Sequence, residues 1–193
     1  WGQIDEFRVF NTTLSVEQIN AELRRPLDAR GPKLIGRWSM DNVTVHEDLS
    51  RTVAEETGLS NDMLLGPAVQ HVDTPTGKGL FFDGTSSSWA YVATNNFQAL
   101  LDATIAMWIN IPVGAETLNQ LIPGNNYPQI FSMSTQARAE LQQARYNNSL
   151  RVFWHNVTTP RFLDPALAGR DVWSHLAFVF THRYDAATGR WFQ

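Results

Sequence analysis

The chain has 193 residues, with 15 Lys+Arg against 19 Asp+Glu and a formal net charge of −4, which excludes a basic nucleic-acid-binding arm. Hydrophobic residues make up 43% and aromatic residues 11%, enough for one sizeable core and too much for a disordered chain. Cysteine is absent, so disulfides, thiolate metal sites and a cysteine nucleophile are excluded, and no apolar run approaches the ~20 residues that would cross a bilayer.

In chain order, residues 3–10 (QIDEFRVF) set Ile4, Phe7, Val9 and Phe10 among polar positions and end at the turn-like Asn11-Thr12-Thr13, which predicts a strand. Ser15 then precedes Gln18 by three, the spacing of a capping box, and Val16, Ile19 and Leu23 recur at helical intervals until Pro26, which predicts a short amphipathic helix. Residues 26–32 (PLDARGP) mix proline, glycine and charge as a linker does. Strands are then expected at residues 34–40, 79–82, 89–93, 103–111, 129–133, 150–154 and 172–180, each β-branched or aromatic and bounded by turn residues. Ile105, Met107, Ile109 and Ile111 make one face of their strand wholly apolar; Val172, Leu176, Phe178 and Phe180 repeat the habit in theirs, with Ser174 as the exception. Residues 185–189 (DAATG) read as a hairpin turn, with a returning strand beginning at Arg190. Strands of this kind fit an all-β, two-layer antiparallel sandwich with one short helix near the N-terminus.

Asn11, Asn42, Asn147 and Asn156 each open an N-x-[ST] triplet, a density that favours secretion and N-glycosylation. No signal peptide precedes them, since the chain opens on Trp1, Gly2 and Gln3, and it reads as an excerpt of a longer protein.

The order of motifs resembles the laminin G-like branch of the concanavalin A-like jelly rolls. WGQIDEFRVFNTTLSVEQI is similar to the closing strand and sealing helix of that family, whereas LIGRWSMD resembles its opening strand and EDLS the loop after it. GKGLFFDGTSSSWAYV is similar to the paired strands around Phe82-Asp83-Gly84, ATIAMWINI to the central strand, and DVWSHLAFVFTHRYDAATGRWF to a late strand and hairpin. The resemblance implies that residues 1–25 close a preceding laminin G-like domain, that 26–32 link, and that 33–193 form a second jelly roll that is incomplete at its C-terminal end. Such a sandwich needs its missing strand from the parent chain, from a neighbouring copy, or from the N-terminal strand folded back beside residues 34–40.

A retaining glycosidase needs two carboxyl groups about 5–5.5 Å apart on one face. No E-x-D-x-E run exists, and the adjacent Asp5 and Glu6 are expected on opposite faces of a regular strand. The motifs G-x-S-x-G and H-E-x-x-H are absent, and Gly77-Lys78-Gly79 lacks the remainder of a phosphate loop. The histidines at 46, 71, 155, 175 and 182 have no zinc-ligand spacing. Among cofactors the resemblance implies calcium at a loop rim, and places Asp41, Asp48 and Asp83 in the matching loops; the alternative is that Asp83 shapes its turn and Asp48 makes an Asx turn onto Ser50.

Glycan binding requires aromatic faces beside polar groups, and Trp89, Tyr127 and Trp154 each adjoin polar loop residues; the alternative is that Trp89 or Trp154 closes the sandwich edge. Trp38, Trp108 and Trp173 lie within strand patterns and are expected in the core. The expected function is a non-enzymatic extracellular module, structural or adhesive, in a larger secreted or cell-surface protein, whose partners are neighbouring domains, copies of the same protein, or glycans. Two alternatives stand beside it: a carbohydrate-binding module appended to a glycosidase or sialidase, and a catalytic jelly roll whose carboxylates lie in strands beyond the chain.

Overall fold

A computed structural model describes residues 2–23, 33–93, 102–113, 129–133, 139–143, 150–154, 161–163, 171–181, 183–185 and 190–192, with side-chain surroundings for 2–23, 33–93, 102–113 and 171–181. In chain order the elements are β1 (Gly2–Phe10), α1 (Val16–Leu23), β2 (Leu34–Trp38), β3 (Thr44–Val45), β4 (Arg51–Val53), β5 (Met63–Leu65), β6 (Gln70–Thr74), β7 (Gly77–Phe82), β8 (Ala90–Val92) and β9 (Ala103–Asn110). They continue with β10 (Gln129–Met133), β11 (Ala139–Gln143), β12 (Leu150–Trp154), β13 (Arg161–Leu163), β14 (Ser174–Phe180), β15 (Arg183–Asp185) and β16 (Arg190–Phe192). Every described strand pairing is antiparallel. The chain is therefore mostly β-sheet with one short helix, as its alternating apolar residues require.

The largest sheet runs β14-β9-β1-β7-β6, with β2 also paired to β1. β1 lies at its centre: β9 flanks it along one edge, while β7 and then β2 share the other, as Ile4 meets Leu80 and Phe7 meets Trp38. This is the pairing that a folded-back N-terminal strand requires. Strands β3, β4, β5 and β8 form a second sheet in that order. β10 to β13 form a meander, and β15 with β16 the hairpin expected around residues 185–189.

The two sheets that carry described side chains share one apolar cluster. Val9, Trp38, Leu80, Ile105, Met107, Ile109, Leu176, Phe178 and Phe180 enter it from the six-stranded sheet, and Val53, Met63 and Leu65 from the four-stranded one. Alternation along β9 and β14 thus buries one face of each strand against the facing layer, as the sequence predicts, except at Val172, which precedes β14 and is exposed. Trp38 is fully buried, and its indole N–H is satisfied by the Asn61 carbonyl at 3.0 Å. Trp108 departs from the core expectation. It stands on the outward face of β9, half-buried, with its ring 5.3 Å from that of His175 on β14, while Trp173 is half-buried just before that strand.

Helix α1 begins as its spacing predicts. Gln18 N–H donates to Ser15 Oγ at 3.3 Å, and the Ser15 N–H donates back to Gln18 Oε1 at 2.8 Å, so two N-terminal donors are satisfied reciprocally. The expected apolar stripe is only partly used: Val16 is exposed, Ile19 and Leu23 are half-buried, and Glu22 is buried. The reason lies in β1, where the buried Arg8 donates to the Glu22 carbonyl at 2.5 Å and turns the last turn of the helix toward the sheet. The entry to the helix is fixed by Thr104, which accepts from the Leu14 N–H and donates to the Thr12 carbonyl, both at 2.9 Å.

Candidate functional site

Two outward faces hold the polar and aromatic side chains from which a site could be built. The first is that of the six-stranded sheet. A β-bulge interrupts β1 there: Asp5 opposes Trp108 and Arg8 opposes Ala106, so Glu6 and Phe7 together stand against Met107. Glu6 takes φ 52, in the left-handed region. The bulge resets the alternation, and the expectation that Asp5 and Glu6 point to opposite faces is corrected. Both carboxyl groups belong to the outward face, Glu6 on Arg8 and Asp5 on the hydroxyls of Thr74 and Thr76.

Neither carboxyl is placed for work on a substrate. Asp5 is 1% and Glu6 6% exposed. Burial raises the pKa of Asp5 despite its hydroxyl partners, and raises that of Glu6 despite Arg8 and Arg37. Glu6 Oε2 lies 2.8 Å from Arg8 Nη2 and 3.6 Å from Arg37 Nη2, and Arg37 Nε lies 3.3 Å from Glu56 Oε2. The carboxylate of Glu55 accepts from the N–H groups of Arg37, Thr57 and Leu59, at 3.2, 2.7 and 2.9 Å. Burial would raise its pKa, but the hydrogen bonds from Thr57, Leu59 and Arg37 outweigh that and hold it below the ordinary value. His175, next to Trp108, is pushed down to about 4 by burial and by the charge of Arg8. Glu6 thus draws Arg8 and Arg37 together, while Arg8 Nε and Arg37 Nε and Nη2 are buried without a hydrogen bond among the described residues.

The outward face of the four-stranded sheet is the opposite case. Thr44 pairs with Thr52, Thr52 with Leu64 and Leu64 with Tyr91, so the four stand in one row across β3, β4, β5 and β8. Their strand neighbours Val53, Met63 and Leu65 face the core, which fixes the row toward solvent. Tyr91 is 58% exposed, and Trp89, two residues earlier on the same side, is 40% exposed. A Cβ at Gly66 would lie 3.0 Å from the indole atoms Cε2 and Nε1 of Trp89 and inside contact distance of the Ser87 carbonyl. The glycine therefore lets the indole lie close against β5, held by a Gly66 N–H to Trp89 carbonyl bond of 2.7 Å. Polar groups lie further along the same sheet. His46 shares a 2.9 Å hydrogen bond with the Thr52 hydroxyl, and the exposed Asp62, two residues before Leu64, accepts from the Glu55 N–H at 2.9 Å.

Of the residues expected to bind a glycan, Trp89 stands on this face, Tyr127 lies outside the described residues, and Trp154 ends β12 with its side chain outside them. Tyr91 was not singled out by sequence; its signal was the spacing of two from Trp89 on a strand. The three aspartates considered for calcium each serve a local bond. Asp41 accepts from the Lys78 N–H at 2.9 Å. Asp48 accepts from the Ser50 N–H and hydroxyl at 3.0 and 2.6 Å, and the hydroxyl and N–H of Ser50 hold its pKa low. Asp83 accepts from the Thr85 N–H and hydroxyl at 2.9 and 2.8 Å, and those bonds lower it likewise. Among the described residues no three acidic or histidine side chains gather into a metal-binding group. Of the sequons, Asn11 and Asn42 are exposed, whereas Asn147 and Asn156 lie outside the described residues.

Among the described residues no helix is long and apolar enough to cross a membrane. Searches of protein-family models, of curated proteins and of solved structures found no match, so the functional reading rests on these two faces and on the motifs of the sequence itself.

Proposed function

We propose that the chain is a non-catalytic structural and adhesion module of a larger secreted or cell-surface protein, built on a laminin G-like jelly roll and engaging its partners through the outward face of the four-stranded sheet. The observation that carries this reading is the pair of exposed aromatics, Trp89 and Tyr91, set side by side on a sheet whose other face is buried in the core. Large aromatics left in solvent on and beside a strand are what binding surfaces use, because they supply contact area at little cost in side-chain order. The exposed sequons at Asn11 and Asn42 support an extracellular setting. The burial of Asp5 and Glu6 in a self-paired network supports a role without carboxylate catalysis.

A surface coated with the protein is expected to retain cells or extracellular matrix, and the Trp89→Ala/Tyr91→Ala double variant, folded and equally coated, to retain at least about tenfold less. Hydrolysis of a polysaccharide by the chain, abolished by Asp5→Asn or Glu6→Gln, would overturn the reading.

A further inference from the structure

We infer that the face bearing Trp89 and Tyr91 binds uncharged pyranose sugars, with Asp62 as the group that orients their hydroxyls. The inference deepens the binding role proposed above and rests on it. It starts from size. Trp89, Tyr91 and Leu64 leave only part of their surfaces in solvent, roughly 200–300 Å² together when an aromatic side chain carries about 150–250 Å². A stable protein interface needs about 800 Å² on each partner. The apolar part of this face falls short of a stable protein interface and matches the faces of one or two sugar rings.

Chemistry agrees with size. A pyranose offers an apolar C–H face edged by hydroxyls, so its complement is an aromatic plane flanked by groups that both donate and accept. Trp89 immediately precedes β8 and Tyr91 lies within it two residues on, roughly 6.5–7 Å at strand spacing, comparable with one step along a sugar chain. Beyond Leu64 the row continues with the hydroxyls of Thr52 and Thr44, the former bonded to the ring of His46. On the same side of β5, Asp62 is exposed, and one of its oxygens is bound by the Glu55 N–H. A carboxylate held that way is a fixed acceptor for a sugar hydroxyl.

Charge narrows the class further. No lysine or arginine stands in the row of Thr44, Thr52, Leu64 and Tyr91, and Arg51 is bound to the carbonyls of Val69 and Gly66, at 2.8 and 2.5 Å. With Asp62 at the row and a net charge of −4, acidic sugars are repelled rather than drawn in. Neutral hexoses remain.

The test is titration of the whole chain with neutral tetrasaccharides (β-1,4-glucan, β-1,4-mannan and α-1,4-glucan), with sialyllactose as the acidic control, followed by indole fluorescence and calorimetry. The expected result is saturable binding of at least one neutral tetrasaccharide, weakened at least about tenfold in Trp89→Ala and in Tyr91→Ala and about threefold or more in Asp62→Asn, with unchanged melting temperatures and no gain for sialyllactose. Absence of saturable binding by every neutral tetrasaccharide, binding undiminished in Trp89→Ala, or preference for sialyllactose would each overturn the inference. If the adhesion assay still depends on Trp89 and Tyr91 while no sugar binds, the inference falls and the adhesive role stands on a protein partner.

Discussion

Arg8 and Arg37 face each other as register partners across β1 and β2, and the carboxylate of Glu6 stands between their guanidinium groups. Like charges directly opposite one another destabilise a strand pair. Here the β1 bulge resolves the conflict by turning Glu6 onto the face where both cations lie. Removing the carboxylate leaves two buried cations with one partner fewer. Glu6→Gln is expected to lower the unfolding free energy by about 3 kcal/mol, near the lower end of the cost of breaking a buried pair, read as a shift of the urea midpoint at unchanged slope. A change under about 0.5 kcal/mol would mean that the two arginines do not need Glu6.

His175 carries a pH dependence of defined sign. The folded chain takes up its proton near pH 4, the unfolded chain near 6.5, because burial and Arg8 disfavour the charged ring. Its contribution to stability is therefore fully present above about pH 6.5 and is lost as the pH falls toward 4. Asp5 and Glu6, raised by burial, act in the opposite direction, so the effect is read as a difference between wild type and His175→Phe, which keeps a ring beside Trp108. The variant is expected to gain on wild type as the pH is lowered from about 7 to about 5 in urea denaturation. Equal pH dependence in both proteins would refute the assignment.

Gly66→Ala places a methyl group against the indole of Trp89 and the Ser87 carbonyl. Overpacking of this kind costs about 1–3 kcal/mol, and here its relief requires shifting the Ser87 backbone as well as the indole of Trp89. The expected outcome is a lower melting temperature together with a red-shifted, more quenchable indole emission that Trp89→Phe removes.

Ser15→Ala deletes the hydroxyl half of the capping box while leaving Gln18 in place. A loss of about 1 kcal/mol is expected, about 2–4 °C in melting temperature for a domain of this size. Ser15→Asp, which keeps an acceptor at the cap, should restore it.

Thr104 is wholly buried and bonded on both sides of its hydroxyl, to the Leu14 N–H and the Thr12 carbonyl. Thr104→Val keeps the shape and strands both backbone groups, for an expected loss of about 1–3 kcal/mol in urea denaturation. Thr104→Ser should cost clearly less.

What could be read from the sequence was whatever alternation and local spacing encode. Ile105, Met107, Ile109, Leu176, Phe178 and Phe180 are buried as their period of two requires, and Ser15 with Gln18 caps the helix. The bulge at Glu6 was not legible, because its left-handed residue is a glutamate rather than the glycine that would announce it. The short strands β3, β4, β5 and β6 were not expected, since segments of two to five residues carry too little pattern to stand apart from loops. The candidate site was half visible. Trp89 drew notice through its polar neighbours, but Gly66, against which it packs, and Leu64, which stands opposite its neighbour Tyr91, come near only through strand pairing.

The central place of β1 bears on how this protein comes into being. Gln3 pairs across to Asn110, so β1 must wait until β2 to β8 have been made before its neighbour along one edge exists. Pairings of such long range slow folding and leave the waiting strand open to unwanted association. Newly made chains should therefore depend on chaperones chiefly until β9 has been translated.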